Sequence, residues 1–258
     1  MRPILLGAVL AAVLAVGLAA SPLAQAGWGV SADVERFRWD EGTNPRVTET
    51  GPMIGLGVQW TQDRPAGWRF GYRGRLYFGS VDYNGSVLLS GTPINGTTDY
   101  TGLTNEGQAR YRLNNPSGTD VVAGLGYDYW QRQLTSFQSE EYSVLYLRLG
   151  AEFDRRERRG WFAGAGVKYP LWVDENAHFP DIGFDPNPRL KPKGELSVYA
   201  EAGYRFNERW SLTAYYDSYR FGESEDVAVI FLKLRDLQFN HRPRASRDDL
   251  AKLNGCRL

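Results

Sequence analysis

The chain has 258 residues, with 30 Lys plus Arg against 30 Asp plus Glu, and a mean hydropathy of −0.44. A formal charge of zero excludes a nucleic-acid binder that works by electrostatic attraction. The one cysteine, Cys256, excludes an internal disulfide, and neither it nor the two histidines, His178 and His241, stands in a metal-ligand spacing, so no cofactor is expected.

The N-terminus carries Arg2, an apolar run from Ile4 to Ala20, and Ala24-Gln25-Ala26 ahead of Gly27. This is the layout of a secretory signal peptide with a small-x-small cleavage site, so residues 1–26 are expected to be removed and 27–258 to form the domain. No other stretch approaches the ~18 apolar residues of a membrane-spanning helix. Aromatic residues make up 14%, glycine is abundant at 29, and long helical periodicity is missing. One all-β domain is the economical reading.

In chain order, a first strand is expected at 28–39, with Trp28, Val30, Ala32 and Val34 on one face. The apolar phase then shifts to Phe37 and Trp39, which predicts a bulge near Val34-Glu35. A polar loop at 40–50 precedes a second strand at 52–61, and Asp63 to Gly67 is a tight turn. The third strand, 68–83, sets Trp68, Phe70, Tyr72, Leu76 and Phe78 against Arg69, Arg73 and Arg75. After a loop at 84–98, the fourth strand, 99–113, sets Leu103, Ala109 and Tyr111 against Glu106, Gln108, Arg110 and Arg112. Asn114 to Gly118 is a turn, and the fifth strand, 120–133, carries Asp128 and Arg132 away from its apolar face.

A sixth strand follows 135–141, with Leu145, Leu147 and Leu149 against Arg148 and Glu152. The charged turn 155–160 leads to the seventh, where Trp161, Ala163 and Val167 face away from Lys168. A long loop, 174–193, comes before the clearest pattern of all. Residues 195–206 alternate Leu196, Val198, Ala200, Ala202, Tyr204 and Phe206 with Glu195, Ser197, Tyr199, Glu201 and Arg205, and 210–217 repeats the alternation up to Asp217. Period two means strands. Their length exceeds the ~5 to 6 residues usual in soluble sheets, and charges sit in mid-strand opposite the apolar face. A transmembrane β-strand has this dyad, with apolar side chains to lipid and polar ones to the lumen.

The expected fold is therefore all-β, an up-and-down antiparallel transmembrane β-barrel of ten strands, in which short turns and longer loops alternate. Two segments compete for the tenth strand, 226–239 and 246–258. Trp28, Trp60, Trp68, Tyr111, Phe153, Trp161, Phe206 and Trp210 fall near the strand ends at the short turns and form an expected interfacial girdle. Arg69, Arg73, Arg75, Glu106, Arg110, Arg112, Asp128, Arg132, Arg148, Glu152, Lys168, Glu195, Glu201, Arg205 and Asp217 face the lumen. Mixed signs in so narrow a space favour a network of ion pairs that fills the barrel, since wide channels need ~16 strands.

The C-terminal segment resembles the last strand of small Gram-negative outer-membrane barrels, of opacity or omptin size. Pro243, Ser246, Asp249, Gly255 and Arg257 stand at matching positions, and Leu258 takes the place of a terminal aromatic. The resemblance implies an outer-membrane location in a Gram-negative cell, contact with outer-membrane lipid, and recognition by the barrel assembly machinery. Omptin-sized barrels include proteases that use Asp and His at the external rim. Here His178 with Asp174, Glu175 and Asp181 nearby, and His241, are the residues to test, but no spacing marks a catalytic set. The expectation is a non-enzymatic, monomeric barrel with a structural or surface-interaction role through its loops. A narrow porin-like pore or transporter is the first alternative, and an outer-membrane hydrolase or a soluble periplasmic binding barrel the second.

Overall fold

A computed structural model describes residues 26–41, 46–62, 67–86, 92–114, 118–136, 138–154, 159–207, 211–224, 227–228, 230–231 and 252–253. Its first seven strands are β1 (Ala26–Glu41), β2 (Val47–Gln62), β3 (Gly67–Ser86), β4 (Pro93–Arg112), β5 (Thr119–Gln133), β6 (Ser139–Asp154) and β7 (Gly160–Asn176). The short 3-10 turn Phe179–Ile182 and β8 (Phe184–Asp185) follow, then β9 (Lys193–Glu195), β10 (Ser197–Arg205), β11 (Ser211–Asp217) and β12 (Arg220–Gly222).

Among the described residues nine strands form one antiparallel sheet, in the order β1-β2-β3-β4-β5-β6-β7-β10-β11. From β1 to β7 each strand of this meander pairs with its neighbour in the chain, as do β10 and β11, and β7 pairs with β10 across the segment that holds the 3-10 turn, β8 and β9. Gly118 supplies the positive φ of 71° in the turn between β4 and β5, where Leu113 N–H donates to Thr119 O at 2.9 Å. The sheet curls until Tyr215 of β11 donates its hydroxyl toward Asp33 (2.9 Å) and Glu35 (2.8 Å) of β1. β9 and β12 pair with each other and carry the walls of β10 and β11 onward.

The tenth strand falls mostly outside the described residues. Of the two candidate segments only β13 (Val227–Ala228), β14 (Ile230–Phe231) and β15 (Lys252–Leu253) are described. β13 pairs with β15 and β14 with β8, and none of them joins the nine-stranded sheet. Residues 1–25 of the expected leader also lie outside the described residues.

The wall has two zones. In the zone near the short turns the apolar side chains point outward, as Trp28, Val30, Leu56, Phe70, Val121, Leu149, Trp161 and Leu212 do, each exposed. On β3 this band runs from Trp68 to Phe78. Ten residues at ~3.3 Å, tilted by ~40°, give a height of about 25 Å, which matches the apolar band of an outer-membrane barrel. Beyond Phe78 the strand continues to Ser86, and the chemistry of its two faces inverts. Ser80 and Asp82 point out while Val81 is buried inside.

This inversion corrects the first strand. No bulge occurs near Val34, because β1 pairs with β2 in one continuous register from Ala26↔Gln62 to Glu41↔Val47. Phe37 and Trp39 face inward, in phase with Asp33 and Glu35, and pack against the buried cluster. The hydrophobic phase jumps by one residue without the backbone doing so. The register shift that does occur lies between β6 and β7, at Leu145/Tyr146, and it leaves Leu171 and Trp172 both exposed. The expected loops at 40–50, 84–98 and 174–193 are shorter than the sequence implies, since β1, β2, β3, β4 and β7 extend into them.

Candidate functional site

The lumen is the place where the strands bring chemistry together. Alternation sends every second residue inward, and register then sets which charges meet. Near the short turns Asp120 of β5 takes Arg112 of β4 at 2.7 Å and also pairs with Arg69 of β3. Glu152 of β6 takes Arg110 at 2.6 Å and Arg73 at 3.6 Å, and Arg73 reaches across to Glu201 of β10 at 3.1 Å. Arg205 closes on Asp154 at 2.8 Å.

At mid-height Arg75 binds Asp33 at 2.5 Å and Glu35 at 3.2 Å. Arg148 lies 3.6 Å from Glu106, which also accepts the Tyr146 hydroxyl at 3.0 Å. Asp128 accepts three hydroxyls, from Thr104 (3.0 Å), Tyr77 (3.1 Å) and Tyr219 (3.2 Å). Lys168, buried, holds Asp217 at 2.5 Å while its ammonium stands 3.5 Å from the Tyr219 ring centroid.

Two of these tyrosines lie flat over glycines of the next strand. A Cβ on Gly126 would sit 2.2 Å from the Tyr146 ring, and one on Gly102 would sit 2.2 Å from the Tyr77 ring. Only glycine allows that approach, so each ring lies along the wall and reaches over one strand to the next, Tyr146 to Glu106 and Tyr77 to Asp128.

Above the charges comes a layer of aromatic rings. Trp130 stacks on Tyr142 at 5.0 Å, Tyr219 stacks on Phe221 at 5.5 Å, and Trp39 meets Trp130, Tyr142 and Phe221. Met53, Val81, Val144 and Val173 complete the buried cluster. Over it sits Arg132, 2% exposed, which binds Glu41 (2.8 Å), Glu49 (2.9 Å) and Glu140 (2.8 Å). Glu49 is fully buried and also accepts from Thr98 at 2.9 Å and from Tyr100. Glu175 adjoins this knot beyond the apolar band, and burial followed by the charge of Glu140 pushes its carboxyl up to about 8.

The structure brings fourteen of the fifteen expected network residues, Arg69, Arg73, Arg75, Glu106, Arg110, Arg112, Asp128, Arg132, Arg148, Glu152, Lys168, Glu201, Arg205 and Asp217, into this interior or onto its edge. Glu195 is a correction. It is exposed and faces outward beside Arg220, its register partner, while the adjacent Phe221 points in. The cause is a break at Leu196, where Ser197 Oγ donates to Glu195 O and accepts from Arg220 N. Sequence reasoning missed Asp33, Glu35, Glu41, Glu49, Asp120, Glu140 and Asp154. Three of these, Glu41, Glu49 and Glu140, sat in stretches taken for loops.

Of the expected girdle, Trp28, Trp68, Tyr111, Trp161 and Phe206 are exposed on the outer wall, and Trp60 and Phe153 are half-buried there. Trp210 lies outside the described residues. Tyr204 joins the belt, 5.1 Å from Trp161 and 5.3 Å from Phe206. At the opposite rim His178 Nε2 stands 2.9 Å from Asn176 and 3.6 Å from Glu141, and the His178 and Glu141 side chains are each about a third exposed (29% and 33%). His241 lies outside the described residues. Among the described residues no group of His, Cys, Asp and Glu is arranged to hold a metal ion.

A family model described as outer membrane protein beta-barrel domain matches residues 8–184. The chain matches no curated protein and no solved structure. A curled antiparallel meander, apolar where it would meet lipid and charged within, is what that family requires, and the chain belongs to the outer membrane protein beta-barrel domain family as an integral barrel of the outer membrane.

Proposed function

We propose that the mature protein, freed of residues 1–26 on export, is a non-enzymatic monomeric barrel of a Gram-negative outer membrane. Its lumen is a strut and not a conduit, and its work is structural or adhesive, done by the loop-bearing end outside the cell. The barrel assembly machinery inserts it, lipid surrounds it, and it uses neither a cofactor nor nucleic acid.

The observation that carries this reading is the filling of the lumen. Charges on β3, β4, β6 and β10 pair across it, and the aromatic layer lies above them. A hydrated filter keeps its charges in water, whereas these carboxylates and guanidinium groups neutralise each other. His178 shares its ring nitrogen with Asn176 and Glu141 on an open rim, which favours a structural use of that histidine.

The test is reconstitution into planar bilayers, where the protein should give no stable unit conductance. Steady channels whose reversal potential moves on Glu201→Gln would replace this reading with that of a narrow pore. On intact cells, protease should cut between β3 and β4 and within residues 177–192, and spare the turns at 63–66 and 208–210. The converse pattern would invert the barrel.

A further inference from the structure

The collar of the wall just above the apolar band is not uniform in charge. On β1 the outward residues after Val34 are Arg36 and Arg38, with Arg46 at the start of the next strand, and all three are exposed. Among the described residues Asp40 alone answers Arg38 (2.6 Å) and Arg46 (2.8 Å). At the other edge of the sheet, above the exposed Leu196 and Val198, stand Lys191, Lys193 and Arg220, again exposed, with Glu195 beside Arg220. Among the described residues no carboxylate lies within ion-pair distance of Arg36, Lys191, Lys193 or Arg220.

The strands β3 to β6 carry Asp82, Asp99 and Glu141 on their outer face and no outward Lys or Arg at this height, whereas Asp174 of β7 is paired with Arg189 at 3.0 Å. Among the described residues Tyr215 of β11 reaches Asp33 and Glu35 of β1, so the two basic edges lie on the same side of the curled sheet, and Asp82, Asp99 and Glu141 lie on the other. Solubility alone would be served by mixed signs all round the collar. The sorting calls for a partner that is anionic, lies at headgroup height, and touches one side of the barrel.

We propose that this basic sector binds the headgroup of a phosphate-bearing lipid in the leaflet at the loop end. Its acyl chains lie on Val34, Leu196 and Val198, and its phosphates meet Arg36, Lys193 and Arg220. Lys and Arg near an anionic membrane surface each favour binding by about fivefold. Arginine adds the planar fork that suits a phosphate. The proposal depends on the outer-membrane placement but not on whether the lumen conducts, so bilayer recordings and lipid binding fail independently.

The experiment titrates the detergent-purified mature protein with bis-phosphorylated lipid A and with the same lipid stripped of both phosphates, and reads bound lipid by native mass spectrometry. The phosphorylated lipid should bind saturably at least tenfold tighter, and its binding should weaken between 50 and 500 mM salt. The combined change Arg36→Gln, Lys193→Gln and Arg220→Gln should remove at least tenfold of that affinity, while Asp82→Asn should leave it in place. Folding of each variant is read by its heat-modifiable mobility on gels, and the salt series on the unaltered protein holds the proposal open to refutation if the triple variant misfolds. Equal binding of the stripped lipid, a triple variant that binds like the parent, or full competition by millimolar inorganic phosphate would overturn it.

Discussion

Replacing Arg132 by Met is the sharpest test of the knot at the loop end. The guanidinium is 2% exposed and within 2.9 Å of Glu41, Glu49 and Glu140, so its loss leaves three carboxylates facing one another around a buried site. Breaking a buried ion pair from one side costs about 3 to 5 kcal/mol. The stranded groups can escape part of that cost by taking up protons. At pH 7 each such protonation costs about 3.5 kcal/mol, from a free glutamate value of about 4.3, and at pH 5 only about 1 kcal/mol. In the variant the folded carboxylates therefore titrate above their unfolded value, and stability falls as pH rises from about 4.3. Unfolding by urea in detergent micelles should show a deficit of about 3 to 5 kcal/mol at pH 7 that shrinks to about 1 to 3 kcal/mol at pH 5. A deficit below about 1 kcal/mol at pH 7, or one that does not change between the two pH values, would refute the argument that Arg132 serves three buried charges.

Glu175 is 3% exposed with its carboxyl raised, so between the usual carboxylate range and about pH 8 the unfolded chain loses a proton that the folded chain keeps, and stability falls across that window. Glu175→Gln should flatten this slope and gain about 1 to 3 kcal/mol at pH 8 with little change at pH 5, as read by thermal melts at the two pH values. Ala200→Arg places a charge on the lipid face and should cost about 2 to 4 kcal/mol in folding into lipid, whereas Thr213→Arg, inward on β11 and exposed, should cost under about 1 kcal/mol; equal costs would reverse the assigned faces. Gly126→Ala forces Tyr146 off its seat and should cost about 1 to 3 kcal/mol by urea titration, with the Tyr146→Phe variant less sensitive to the same change.

The membrane-facing half of the barrel was legible because lipid and lumen impose opposite demands on neighbouring residues. Strands such as β3 and β10 therefore announce their period, their faces and their inward charges. The loop-end half was not. There water lies outside and a core inside, so Phe37 and Trp39 continue the inward phase of Asp33 and Glu35 with the opposite polarity. A reader who tracks the apolar face sees a slip where the backbone has none, and sees loops where polar outward faces hide long strands. The knot was illegible for the same reason, since Glu41 and Glu49 read as loop residues. Partners across the lumen posed a different difficulty. Arg73 and Glu201 lie 128 positions apart, and only the curl of the sheet decides that they meet.

The inversion of the wall divides the molecule by solvent. Where the outer face lies against acyl chains, neighbouring apolar groups gain nothing by leaving water, and cohesion there rests on backbone ladders and ion pairs. Where the cylinder rises past the bilayer, Trp39, Met53, Trp130 and Tyr142 are withdrawn from water as in any soluble core, with the large heat-capacity change that this entails. One continuous strand thus obeys two thermodynamic regimes. A given exchange, such as leucine for serine on the outward face, damages the protein at the height of Leu56 and is harmless at the height of Thr50, and calorimetry of the embedded barrel reports mainly on its upper storey.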